Sequence, residues 1–203
     1  MLSTKMSLYD SILEFEKLNA KAILYESGRG NPLFEKITAS LDEKIVETQV
    51  NKLRLLLDTA YYLKGSQITE ERLDSLVEEW GNLDEEVIGR FFELFPNHFK
   101  EEKRVVAAKK DRIKASIEFY QQLISQGSAD DFRDAVRNKF RNREAYLNAL
   151  KPLDEAHERY EEVSIQCMPK LVAKIFRENL PVRKRAKEKV REVTLRSIFP
   201  EEY

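Results

Sequence analysis

Cysteine is almost missing from this chain: Cys167 stands alone among 203 residues. A single thiol excludes an internal disulfide and fits a reducing compartment. Glycine and proline number six each. A chain of short strands needs turn residues at about every 8–12 positions, so this scarcity argues against an all-β fold. With 42% hydrophobic residues it also argues against extended disorder. No apolar run reaches the roughly 18 residues of a membrane span. The polar stretch from Met1 to Leu8 lacks the apolar core of a secretory signal. A cytoplasmic location is expected, with a nuclear one in a eukaryote left open. Histidine occurs only twice, at His98 and His157. A nucleophilic cysteine wants a positioned base, so Cys167 is expected to be a small buried hydrophobe.

What is abundant is charge, at 35% of residues, and it is unevenly placed. Residues 1–98 hold 11 Lys and Arg against 18 Asp and Glu, whereas residues 99–203 hold 24 against 18. The near-neutral total therefore conceals an acidic half (−7) and a basic half (+6). Such asymmetry suggests either an acidic partner on the basic side or an acidic half covering a basic one.

The apolar residues recur at helical period nearly everywhere. Leu8, Ile12, Phe15 and Ala22 mark one helix, capped by Ser7 and ended at Gly28, with a turn through Pro32. A second helix reads from about Leu33 to Lys64, with a capping box at Ser40-Leu41-Asp42-Glu43. Leu53 to Leu57 is apolar nearly all round, which predicts burial on several sides or a homodimer contact. Thr69 caps a short acidic helix through Trp80, which Gly81-Asn82 ends before another opens at Asp84. A near-heptad seam of coiled-coil type (Val106, Ile113, Ile117, Tyr120, Ile124) places a helix over Phe99–Gln126. After a Gly127-Ser128 hinge the pattern predicts one helix from Asp130 to Leu150, a boundary at Pro152, a kink at Pro169 and a last helix from Pro181. The sum is an all-α chain of seven to nine helices with no sheet, a multi-helix bundle or elongated helical array. It reads as one domain over 1–203, with a soft seam near 96–99.

Candidate chemical motifs are weak. Asp130-Asp131-Phe132-Arg133-Asp134 has the spacing by which helical isoprenoid synthases hold Mg²⁺, but no second aspartate-rich segment accompanies it. A helix N-terminus favouring acids explains it better. Asp154-Glu155-Ala156-His157 resembles half of a di-iron Glu-x-x-His motif and lacks the other three ligand sets. His157 is expected at the surface. Glu71-x-x-Asp74 lacks the partner carboxylates that a nucleotide pyrophosphohydrolase would need. No catalytic, cofactor-binding or metal-binding residue is assigned.

Two basic clusters are the better candidates for binding an anion or a partner. Arg133, Arg137 and Arg141 stack at successive turns beside the apolar face of Phe132, Val136 and Phe140. Arg143 falls inside that face, where an isolated charge is costly, so it is expected to pair with a carboxylate of another helix. In the last helix Arg183, Lys184, Lys187 and Arg191 flank an apolar stripe of Val182, Ala186, Val190 and Val193. These features predict a non-enzymatic adaptor, scaffold or complex subunit that binds a protein through helix faces. A nucleic-acid-associated factor using the basic half is the alternative. An all-α enzyme on a polyphosphate substrate is a remote third.

Overall fold

A computed structural model of the chain describes residues 6–28, 36, 41–93, 102–125 and 129–203. Seven α-helices make up these residues: α1 (Leu8–Gly28), α2 (Asp42–Leu63), α3 (Glu70–Glu93), α4 (Lys103–Ile124), α5 (Phe132–Phe140), α6 (Arg143–Gln166) and α7 (Lys170–Ile198). A single 3₁₀ turn, Pro200–Glu202, follows, and no strand occurs among the described residues. The fold is an all-α bundle, as the helical period predicts. The turn through Pro32, the helical stretch 33–40, the seam at 96–99 and the hinge at 127–128 lie outside the described residues, apart from Lys36.

Helix α4 is the hub, packed against α2, α3, α5 and α6. Its partner α6 runs antiparallel to it: Arg104 donates to Gln166 at one end (3.2 Å), and the Phe119 ring meets Tyr146 at the other (6.3 Å). Helix α1 packs on α2 and α7, and short α5 bridges α1, α4 and α7. The core is one cluster in which Ile12, Leu57, Leu76, Ile113, Ile117, Leu123, Val136 and Ile198 are almost wholly enclosed. Each such side chain contributes about 1.5–3 kcal/mol on burial. Phe15 stacks on Phe132 at 3.9 Å and ties α1 to α5. The leucine run at 53–57 is used here: Leu53, Leu56 and Leu57 are buried and Leu55 packs against them. Its apolarity therefore supplies no argument for a homodimer.

Local signals place several helix ends. Ser7 Oγ accepts from the Asp10 amide (3.2 Å), and Thr69 Oγ1 from that of Arg72 (3.2 Å). Asp131 is the N-cap of α5 and accepts from the Arg133 amide at 2.8 Å, so the aspartate-rich segment is a helix cap. Helix α2 closes with Lys64 in the left-handed region (φ 47°) and Gly65 at φ 87°, a conformation glycine adopts without a Cβ penalty.

Other boundaries move. Helix α2 begins at Asp42 with Leu41 as its N-cap, and Ser40 of the expected capping box lies outside the described residues. Gly81-Asn82 does not end a helix, and α3 runs through it. One interior glycine costs only about 1 kcal/mol, and the burial of Leu73, Leu76 and Trp80 outweighs it. A Cβ added at Gly81 meets nothing within 4 Å. Gly81→Ala should therefore raise stability by about 1 kcal/mol, read as a higher urea midpoint with an unchanged slope.

The expected 130–150 helix is broken at Arg141 (φ 61°), and Asn142 caps α6 by accepting from the Ala145 amide (2.8 Å). Pro152 then lies inside α6 and Pro181 inside α7, while Pro169 is the N-cap of α7. Both interior prolines are exposed, and the helices continue because Leu150, Leu153, Asn179 and Ala186 are buried on the opposite sides.

Candidate functional site

Helices α6 and α7 face each other with opposite charge. Asp154, Glu158 and Glu161 recur on one side of α6, and Arg183, Lys184, Lys187 and Arg191 on one side of α7. Because the helices are antiparallel, the two rows form a ladder. Arg191 grips Asp154 through both terminal nitrogens (2.7 and 2.8 Å). Lys184 reaches Glu158 at 3.4 Å, and Arg183 pairs with Glu161. Lys189 adds a tie to Glu26 of α1 at 2.9 Å. Three of the four cations proposed on this helix are thus held by the chain itself.

Lys187 is the exception. No carboxylate pairs with it among the described residues, and the α6 face near it carries His157. Burial, then the neighbouring Arg183 and Arg112 charges, push the Lys187 ammonium below its ordinary range. His157 corrects its expected surface placement. It is half-buried, and burial together with Arg112, Lys187, Arg183 and Arg191 holds its imidazole well below the usual value.

Arg112 of α4 completes the inner side of this cluster. Its guanidinium is held between two rings, Trp80 of α3 (5.3 Å) and Tyr160 of α6 (5.1 Å). On Trp80 it is joined by Lys52 of α2, 5.0 Å from the ring centre. Lys52 is buried, pairs with Asp84 of α3, and is still pushed down to about 8 by burial. Two donors here have no acceptor although their atoms are fully enclosed: Arg112 Nε and Trp80 Nε1. Such groups are uncommon in native proteins. Lys109 is also buried, next to Lys52 in charge range, and makes contacts of its own.

The first basic cluster is divided. Arg137 is tethered: its Nε donates to the Ile198 carbonyl (2.7 Å), satisfying an end carbonyl of α7, and Asp134 lies 3.6 Å away. Arg143 does pair across helices, with Glu192 at 3.5 Å; its ring partner is Tyr203, and its amide donates to Glu202 (2.9 Å). Arg133 and Arg141 are exposed. The eight proposed residues therefore do not form one surface. Lys52 is buried and Arg112, Arg143, Arg183, Lys187 and Arg191 are half-buried, whereas Arg133, Arg137, Arg141 and Lys184 are exposed.

Sequence reading missed Lys52 and Arg112. A signal was present. Lys52 falls on the helix face of Leu53, Leu56 and Ala60, and Arg112 lies one turn from buried Ala108 and Ser116. A cation on an apolar face is the cue that identified Arg143.

No group of three or more His, Cys, Asp or Glu among the described residues is placed to hold a metal. Cys167 is half-buried at the end of α6, where burial and a hydrogen bond with Glu102 push its thiol up. Among the described residues no helix is long and apolar enough to cross a membrane. Compared with known proteins, the chain matches no family model, no curated protein and no solved structure.

Proposed function

We propose that the protein is a non-enzymatic helical adaptor that binds another protein through the corner where α1 begins and α2 ends. The observation that carries this reading is a pair of exposed tyrosines at that corner. Tyr62 is 85% exposed and Tyr61 39%. Tyr61 packs against Tyr9 at 5.8 Å, and Tyr9 donates to Asp58 (2.7 Å), so the aromatic surface is held in place. Ordered, exposed aromatics of this kind are typical anchors of protein interfaces. The pairing of Arg183, Lys184 and Arg191 with α6 carboxylates adds support, since it offsets the charge of three of the eight cations that a nucleic-acid reading needs.

The reading is tested by placing a photo-crosslinking residue at position 62 and, as a control, at exposed Glu118. Crosslinking in the source cells should give one discrete protein adduct at 62 that Tyr61→Asp abolishes, with none at 118. The same smear at both positions would sink it. Nucleic acid is the second reading, resting on exposed Arg133 and Arg141. Two phosphate contacts give a shallow salt slope of about −1.8 in log affinity on a duplex. Tight binding with a slope of about −5 or steeper would overturn the adaptor reading.

A further inference from the structure

The inner cluster points to a ligand. We propose that Arg112 and Lys187, with the enclosed indole N–H of Trp80, form a binding site for a compact phosphate-class dianion between α3, α4, α6 and α7.

The argument starts from pairing. Five cations gather here beside Lys109: Lys52, Arg112, Arg183, Lys187 and Arg191. Three carboxylates stand among them, and each is taken: Asp84 by Lys52, Glu161 by Arg183, Asp154 by Arg191. Arg112 and Lys187 make no ion pair among the described residues; Asp84 and Glu161 act on Arg112, and Glu161 and Asp154 on Lys187, from beyond ion-pair distance while paired elsewhere. An excess of two cations in a shielded place is costly unless an anion joins them.

Geometry selects the anion. The Arg112 guanidinium lies against two aromatic rings, whose faces attract its charge without accepting its N–H groups as a carboxylate would. A planar fork held in this way suits two oxygens of one tetrahedral oxyanion. Arg112 Nε and Trp80 Nε1 are enclosed donors that lack acceptors, and an oxyanion supplies acceptors. Lys187 adds a point charge from α7, so the charge required is about two. The ladder of α6 and α7 supports the placement. At the Lys187 rung the α6 side chain is His157, kept neutral by its surroundings, and the carboxylates that act on Lys187, Glu161 and Asp154, are paired with Arg183 and Arg191.

The test uses the full chain and two probes, inorganic phosphate and inorganic pyrophosphate, by calorimetry at fixed ionic strength with chloride as the control anion. One probe should bind saturably with one site per chain. Lys187→Gln should weaken it about tenfold or more, the scale of one charge-assisted hydrogen bond. Arg112→Lys should do likewise, because it keeps the charge and loses the fork. Lys184→Gln, on the outer rung, should leave affinity unchanged. Without anion, Lys187→Gln should melt no lower than the natural protein, since it removes an uncompensated cation. As an independent readout, the His157 ring signals in a His98→Gln background should titrate at higher pH once the anion is bound. Absence of saturable heat with both probes would overturn the proposal. So would equal weakening by Lys184→Gln, which marks a diffuse ion cloud, or a lower melting point of anion-free Lys187→Gln, which marks a cation paired within the fold. Displacement of pyrophosphate by a short DNA duplex at equal phosphate concentration would transfer the cluster to the nucleic-acid reading.

Discussion

Asp84→Asn should lower stability by about 3 kcal/mol at pH 7 and by much less at pH 10. Breaking a buried ion pair from one side costs about 3–5 kcal/mol, because the surviving charge has no partner. The Lys52 side chain is only 8% exposed and that of Asp84 15%, so water screens little of this loss. The ammonium has one escape, which is to lose its proton. Burial already pushes it down to about 8 with Asp84 present. A lysine whose folded-state value lies below the unfolded 10.5 weakens the fold fully below about pH 8. Between 8 and 10.5 the unfolded chain binds the extra proton, so stability from this group rises with pH. Removing Asp84 moves the lower edge of that window down, and by pH 10 Lys52 is neutral in the folded variant. Tyr9, pushed up to about 12, and Cys167 titrate alike in both proteins and cancel in the difference. Urea unfolding of both proteins at pH 7 and pH 10 reads the effect. An equal loss at both values would mean that Asp84 acts through packing alone.

That pair was only half legible in the sequence. The apolar period around Lys52 was plain, and the leucines beside it entered the expected core. The lysine itself vanished into a count of charges, although its helical position places it with Leu56 and Ala60. The same blindness hid Arg112 and put His157 on the surface. Linear spacing says which face a residue occupies, but which second helix covers that face depends on tertiary pairing between segments far apart. Helix boundaries failed for a related reason. Pro152 and Pro181 are strong local breakers, yet both sit on outward sides of helices whose inner sides are buried. The actual break, Arg141-Asn142, uses an ordinary asparagine cap, whereas Pro152 was given the greater weight. Where one local signal acted alone, as with the caps at Ser7 and Thr69, the sequence reading and the structure agree.

Arg183→Gln combined with Arg191→Gln should cost about 3 kcal/mol, and its comparison with Arg133→Gln plus Arg141→Gln decides which way the basic half faces. The Glu161 side chain is 15% exposed, so losing Arg183 leaves a mostly enclosed carboxylate, roughly 2 kcal/mol. Arg191 and Asp154 are about two-fifths exposed, and solvent screens them, so their two-point contact adds only about 1 kcal/mol. The two sites lie two helical turns apart on α7, and their losses should add to within about 0.5 kcal/mol. Arg133 and Arg141 are exposed, and replacing them should change stability by no more than about 0.5 kcal/mol each. Thermal and urea unfolding of the two double variants measure the contrast. If both lose equally little, the α7 cations are not held by α6, Arg183 and Arg191 join Arg133 and Arg141 as surface cations, and the nucleic-acid reading regains its footing. If only the α7 pair unfolds early, the positive half of the chain faces inward. Its charge then holds helices together and leaves Lys187 and Arg112 for an anion.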